Sequence, residues 1–124
     1  MTRKWALEFA MQWAAAWNAR DLDRVLAHFA DDIEFTSPRA VEVVGAPTIR
    51  GKAALRSYWE RALAQVGSLS FTVERVLFDE ELREVAIVYT SVIDGRSRRV
   101  SENLIFGDGA LVTRAEVFHS VLPA

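Results

Sequence analysis

The sequence predicts an α+β domain in which helices come first and strands follow, with the helices packed on one face of a curved sheet. Apolar residues in the first half of the chain, such as Trp13 and Trp17, recur at the three- and four-residue spacing of amphipathic helices. The second half is rich in Val, Ile, Phe and Thr. Two turn signals, Asp94-Gly95 and Gly107-Asp108-Gly109, predict that its last strands pair as an antiparallel meander.

A long first helix is predicted from a stripe of aromatic and alanine side chains, and it ends near residues 18–20. Asp21 is suited to cap a second, shorter helix because its side chain can accept a hydrogen bond from the first helical turn. Asp31 and Asp32 are interpreted as the turn that closes this helix, before a strand over residues 33–37 that Pro38 stops. The two apolar stripes are Trp5, Phe9, Trp13, Ala16 and Trp17, then Leu22, Val25, Leu26 and Phe29.

Residues 39–50 are interpreted as an irregular arm with at most a brief strand, because Gly45 and Pro47 follow the short Val-rich run 41–44. A third helix is predicted over residues 52–66, where apolar residues return to helical spacing and Gly67 provides a stop. The rest of the chain predicts four strands, over residues 69–78, 84–93, 98–106 and 110–122.

Length and composition predict a single domain over residues 1–124. The chain is 51% hydrophobic and 26% charged, which is typical of a globular domain with a sizeable core. Cysteine is absent, which excludes disulfides, thiolate metal sites and thiol nucleophiles. His28 and His119 lie 91 positions apart, and no Gly-rich phosphate loop occurs. We therefore expect neither a metal site nor a cofactor.

The charge balance and the hydropathy pattern bear on partners and location. Fifteen basic and seventeen acidic side chains give a net charge of −2, which argues against a polyanionic partner such as nucleic acid. No apolar run approaches the roughly 18 residues of a membrane span, and the first residues lack the apolar segment of a secretion signal. We expect a cytoplasmic domain without nucleic-acid or membrane partners.

Four short segments, in the order in which they occur, resemble the SnoaL-like and ketosteroid-isomerase-like members of the nuclear transport factor 2-like superfamily. They are Trp13-Ala-Ala-Ala-Trp17-Asn18-Ala-Arg-Asp21-Leu22-Asp23, His28-Phe29-Ala30-Asp31-Asp32, Ile49-Arg50-Gly51-Lys52-Ala-Ala-Leu55 and Phe106-Gly-Asp-Gly109-Ala-Leu-Val112. The resemblance implies three helices leaning on a strongly curved, mostly antiparallel sheet to form a cone with an open mouth. It also implies a homodimer formed through the outer sheet face. It fixes no activity, because this scaffold hosts isomerases, cyclases, hydrolases, dehydratases and binding modules.

The positions that carry catalysis in these families are only partly matched. In the ketosteroid isomerases a carboxylate base precedes the proline after the first strand, and here that residue is Ser37, so steroid isomerisation is not expected. The tyrosine donor on the first helix corresponds to Trp13, and the aspartate of the penultimate strand corresponds to Glu102. In SnoaL-like cyclases an acid/base aspartate near the end of the last strand corresponds to His119.

Glu102 is the main candidate for catalysis, because strand alternation puts it on the same apolar face as Val100 and Leu104. A carboxyl that faced the interior would lose hydration, which would raise its pKa toward neutrality and suit it to donate a hydrogen bond or proton. The alternative is an ion pair with an arginine of the sheet. His119 is predicted as a second acid/base group or, alternatively, as a partly exposed terminal histidine.

Arg96, Arg98 and Arg99 form a basic cluster beside the Asp94-Gly95 turn. We interpret them as solvated hairpin side chains that discourage edge pairing. The alternative is a site for a carboxylate or phosphate group.

Two functions from different classes fit these observations. The first is a SnoaL-like protein that encloses a small apolar, cyclic ligand and acts by cofactor-independent acid/base catalysis through Glu102 and His119, of isomerase, cyclase or hydrolase type. The second is a non-catalytic ligand-binding or dimeric association module. A solvent-connected cavity that brings Glu102 close to a second polar group would favour the first. The residues expected to line the cavity are Trp13, Trp17, Phe35, Ser37, Trp59, Tyr89 and Leu104.

Overall fold

The computed structural model describes residues 1–121, and this part of the chain forms four helices and six strands. The helices are α1 (Arg3–Asn18), α2 (Leu22–Leu26), α3 (Pro38–Val44) and α4 (Lys52–Ala64). The strands are β1 (Phe29–Thr36), β2 (Thr48–Arg50), β3 (Leu69–Asp79), β4 (Glu84–Ile93), β5 (Arg96–Phe106) and β6 (Val112–His119). Leu122, the predicted end of the last strand, lies outside the described residues.

The six strands form one sheet in the order β2-β1-β6-β5-β4-β3. All neighbouring strands are antiparallel except β1 and β6, which run parallel. Strands β3 to β6 therefore form the meander that the two turn signals predict, and the α+β class is confirmed. Because β6 pairs with β1, the first and last strands of the chain lie side by side in the sheet.

The helices pack on one face of the sheet and bury it. Helix α1 lies against β3, and α4 lies against β1 and β2. Side chains on β5 alternate accordingly: Val100, Glu102, Leu104 and Phe106 are buried, while the intervening residues are half-buried. Trp13 of α1 is fully buried in this layer, where truncation of such an aromatic typically costs about 3–5 kcal/mol.

Polar side chains fix the C-terminal end of α1 to the neighbouring elements. The Asn18 amide donates to the Phe71 carbonyl oxygen at 3.0 Å and its Oδ1 accepts from the Phe71 N–H at 2.7 Å. The Arg20 guanidinium donates to the carbonyl oxygens of Val66 and Gly67, at 3.1 and 2.9 Å. These contacts hold α1 and the connection between α4 and β3 in one place.

The predicted turn at Asp31 and Asp32 is wrong, because both residues belong to β1. This strand begins at Phe29, which is buried and pairs with Val112 of β6. The next paired residue on β1 is Glu34, opposite Arg114, so a step of five residues faces a step of two on β6. The two aspartates lie in this irregular segment, and both side chains are exposed. Buried and exposed residues therefore do not alternate here, which is why the sequence pattern does not predict this part of the strand.

The irregular arm predicted over residues 39–50 is wrong in its first part, which belongs to helix α3, whereas β2 is a brief strand of the kind that the prediction allowed. Ser37 caps α3 by accepting a hydrogen bond from the Arg39 N–H at 3.3 Å, and Pro38 occupies the first turn, where its missing N–H is not needed. Gly45 ends the helix with φ +80°. The β-branched valines conceal these signals, because they lower helix propensity.

The other boundaries differ from the predictions by about two residues. Helix α4 ends at Ala64, β5 begins at Arg96 and β6 begins at Val112 after a 3-10 turn over Asp108–Ala110. The resemblance implies three helices, and α3 makes a fourth. No helix in residues 1–121 combines the length and apolar character needed to cross a bilayer.

Candidate functional site

A pocket of about 570 Å³ lies between the helix-facing side of the sheet and helices α3 and α4. Its lining combines aromatic rings, hydroxyl groups and charged side chains. Seven residues singled out from the sequence line it. They are Trp17, Phe35, Ser37, Trp59, Tyr89, Glu102 and His119.

Aromatic rings form one wall of the pocket and hold each other in place. Trp17 and Trp59 meet edge to face with ring centroids 4.9 Å apart, and Trp59 meets Phe35 in the same way at 5.4 Å. Phe71 lies 4.8 Å from Tyr89. Such edge and tilted contacts favour a rigid arrangement. The wall is therefore suited to the flat face of an apolar ring system.

Glu102 places its carboxyl in this pocket while remaining only 5% exposed. The Tyr89 hydroxyl donates to Glu102 Oε1 at 3.3 Å. Within residues 1–121, none of the ion pairs includes Glu102, so the expected alternative of an arginine partner is not found there. Burial raises the pKa of Glu102 from 4.5 to about 7, and the neighbouring Tyr89 and Trp13 lower it only in part.

Trp13 and Leu104, which we expected to line the cavity, are not among the residues that line this pocket. Both are fully buried behind its wall. Trp13 stacks on Phe71 at 5.7 Å and meets Tyr89 edge to face at 4.9 Å. Within the described residues its indole N–H has no partner at hydrogen-bond distance, although it lowers the pKa of Glu102. Trp13 thus supports the pocket from behind.

Tyr58 lines the pocket although it is not among the residues that the sequence analysis expected to line the cavity. It is buried and lines the pocket beside Ser37. Burial raises the pKa of the Tyr58 hydroxyl, the neighbouring Ser37 side chain and the charge of Arg39 lower it, and Glu102 adds a smaller increase. The signal was available, because Tyr58 follows Leu55 by three positions and therefore shares its buried face on α4.

His119 lies at the end of β6 and is fixed by Arg98. The Arg98 Nη1 and His119 Nδ1 atoms are 3.0 Å apart. A guanidinium has only donors, so Nδ1 accepts and the ring proton sits on Nε2. Burial and then the charge of Arg98 lower the pKa of His119. At neutral pH this histidine is therefore a neutral ring whose Nε2–H can donate a hydrogen bond.

Strand alternation separates the three arginines of the basic cluster. Arg99 lies on the outer face, where its Nε donates to Glu74 Oε2 at 3.0 Å. Arg96 and Arg98 share the face of Glu102 and line the pocket, together with Arg39 of α3. All three arginines are exposed, as the prediction of solvated hairpin side chains requires, and Arg96 and Arg98 in addition line the pocket.

Asp94 lines the pocket at the turn between β4 and β5. Its Oδ1 accepts from the N–H groups of Gly67 and Ser68, at 2.9 and 2.8 Å. This carboxylate is thus used to join the hairpin to the end of α4. Within residues 1–121, no group of three or more His, Cys, Asp or Glu side chains is placed to hold a metal ion.

The fold is the cone fold of nuclear transport factor 2-like proteins. Residues 10–114 match the SnoaL-like domain family, and the chain belongs to that family. A SnoaL-like protein of unknown function from Burkholderia thailandensis is 33% identical to this chain. That alignment covers 96% of this chain and 97% of the other, with a TM-score of 0.85.

More distant solved structures share the fold. TerC, crystallised with polyporic acid, is 16% identical over 93% of this chain and 91% of its own, with a TM-score of 0.77. A nuclear transport factor 2-like protein of unknown function from Burkholderia xenovorans is 18% identical over 95% and 85%, with a TM-score of 0.75. No curated protein matches the chain in sequence.

Proposed function

We propose that this protein encloses a small apolar, cyclic ligand in its pocket and moves a proton to or from it through Glu102, without a cofactor. The observation that carries the proposal is a buried carboxyl that lines a pocket of about 570 Å³ and belongs to none of the ion pairs of residues 1–121. Its burial raises its pKa to about 7. Buried carboxyls without an ionic partner are rare away from functional sites.

The pKa of Glu102 suits both directions of proton transfer. Near pH 7 the carboxyl and the carboxylate are both populated, so the group can donate to a ligand oxygen or remove a proton from a ligand carbon. The Tyr89 hydroxyl, 3.3 Å from Oε1, orients the carboxyl in either state. Such chemistry is common to isomerases, cyclases and hydrolases, and the pocket does not select among them.

His119 is assigned a different role from Glu102. Its Nδ1 accepts from Arg98, so it is not available to remove a proton from a ligand. The Nε2–H remains as a donor at the pocket. We therefore propose that His119 orients the ligand, while Glu102 carries out the proton transfer.

The proton transfer can be tested with a neutral aromatic probe, 5-nitro-1,2-benzisoxazole. A base that removes its C3 proton breaks the C–H and N–O bonds and releases a coloured cyanophenolate. We expect kcat/KM to rise with pH with a midpoint near 7, as the Glu102 carboxylate forms. Glu102→Gln should lower kcat/KM by about 100-fold or more.

Three further variants control this experiment. Glu116→Gln makes the same change on the exposed face of β6 and should leave kcat/KM unchanged. Ser91→Phe fills the pocket from β4 and should abolish turnover, whereas Val92→Phe on the opposite face should not. A rate that survives Glu102→Gln, or a midpoint near 4.5, would refute the role of Glu102. Binding of the probe without Glu102-dependent turnover would support the second function, a ligand-binding module.

A further inference from the structure

We propose that the pocket selects an amphipathic organic acid, whose carboxylate is held by Arg96, Arg98 and Arg39 at one end while its apolar rings lie on the aromatic wall. The proposal rests on the proposed function, because it uses the same pocket, and it names the chemical class of the ligand. Glu102 then faces the end of the ligand that is remote from its carboxylate.

The first argument is the placement of the arginines along one strand face. On β5, Arg96, Arg98, Val100 and Glu102 lie at alternate positions on the pocket side. Four residues of strand separate the Cα atoms of Arg98 and Glu102 by about 14 Å. The pocket therefore has a basic end and an acidic end, with space between them for a ring system.

The second argument is that these guanidinium groups have no carboxylate partners within the described residues. The four ion pairs of residues 1–121 use Arg50, Arg56, Arg99 and Arg114. Of the three acidic residues that line the pocket, Asp94 accepts from two backbone N–H groups, Glu42 is exposed on α3, and Glu102 lies four positions along β5 from Arg98. The lining thus holds three arginines and three carboxyl groups, and it carries an excess of one positive charge when Glu102 is protonated.

The third argument is the positioning of Arg98 by His119. The contact of 3.0 Å between Nη1 and Nδ1 restrains the guanidinium at the pocket. Val100 pairs with His119, so the imidazole lies between the basic end and Glu102 along the sheet. Its Nε2–H adds a neutral donor to the guanidinium donors, and this combination suits the two oxygens of a carboxylate.

The competing explanation is that these arginines only protect the end of the β4–β5 hairpin from edge pairing. Under that explanation Arg96 and Arg98 would act like Arg99, and exchange of any of the three would have the same small effect on a ligand. The two explanations therefore predict different behaviour for variants on opposite faces of one strand.

Paired aromatic probes distinguish them. The affinities of 2-naphthoate and of its neutral isostere 2-naphthamide are measured by titration calorimetry at low salt. We expect naphthoate to bind about tenfold or more tightly than the amide, because charge-assisted hydrogen bonds are the stronger ones. Arg96→Gln/Arg98→Gln should remove this preference and leave the affinity for the amide within about twofold. Arg96→Gln alone, which keeps the contact of Arg98 with His119, should remove part of it.

Arg99→Gln is the matched control, because it removes the same charge from the outer face of the same segment. Equal affinity for the two probes, or an equal loss of preference in Arg99→Gln, would overturn the carboxylate proposal and leave the proposed function intact. If neither probe binds while the protein remains folded, the pocket itself is refuted as a ligand site, and both proposals fail.

Discussion

At the scale of single residues, the proposed function depends on one buried carboxyl, that of Glu102. The strand pattern predicts its face, and the structure adds the Tyr89 hydroxyl at 3.3 Å and the pocket beside it. A carboxyl held in this way costs stability, because the folded protein opposes its ionisation. This cost is expected at a functional site, where activity and stability often conflict.

Replacement of Glu102 by glutamine should stabilise the protein, and more so at alkaline pH. Below pH 4.5 the group is protonated in both states. Between pH 4.5 and about 7 the unfolded chain loses this proton and the folded protein keeps it, so stability falls as pH rises. The loss reaches about 3 kcal/mol above pH 7. Glu102→Gln avoids it, and its gain in the free energy of unfolding should be about 2 kcal/mol larger at pH 8 than at pH 5.

Urea unfolding of both proteins at the two pH values measures this difference. Glu116→Gln provides the comparison, because that carboxylate is exposed on β6 and should show no such pH-dependent gain. The same gain for Glu102→Gln at both pH values would mean that the carboxyl ionises in the folded protein as it does in the unfolded chain.

At the scale of secondary-structure elements, α3 shows how local signals can conflict. Its cap at Ser37, the proline after it and Gly45 are all helix signals, yet its valines favour a strand. Packing against α4 and β6 decides between them. Arg39 and Glu42 of α3 line the pocket. This short helix, which the sequence analysis interpreted as an irregular arm, therefore forms part of the candidate site.

Substitution of Gly45 tests the end of α3. Its φ of +80° lies in the left-handed region, and an added Cβ would have no atom within 4 Å, so only the backbone conformation opposes a side chain. Gly45→Ala should lower the free energy of unfolding by about 1 kcal/mol. Gly45→Asn should lower it less, because asparagine tolerates this region. Chemical denaturation measures both, and an alanine variant as stable as the native protein would contradict this cap.

At the scale of the whole molecule, the outer face of the sheet carries exposed apolar side chains. Leu77 of β3 is 54% exposed and Phe118 of β6 is 49% exposed. The pairing register places Leu77 in a row with Ala86, Asn103 and Glu116, and Phe118 follows Glu116 by two residues on the same face. We propose that a second copy of this chain covers the face, as the family resemblance implies.

A homodimer formed in this way should dissociate when Phe118 is replaced by aspartate, because a buried unpaired charge is costly in an interface. Sedimentation equilibrium measures the change in molecular mass. Leu82→Asp is the control, because Leu82 is 62% exposed but lies in the turn between β3 and β4, so its dimer should persist. A native protein that sediments as a monomer would refute the interface, and so would equal dissociation of the two variants.

The sequence by itself determined the α+β class, the order of the main helices and strands, and the faces of Glu102 and His119. Each of these follows from short-range periodicity, which the chain carries locally. Tertiary structure decided the helical form of α3, the start of β1 at Phe29 and the burial of Trp13 and Leu104 behind the pocket wall. It also brought Tyr58 to Ser37 and Arg98 to His119. These contacts join elements far apart in the chain, so their geometry depends on how the sheet and helices pack, which local patterns do not encode.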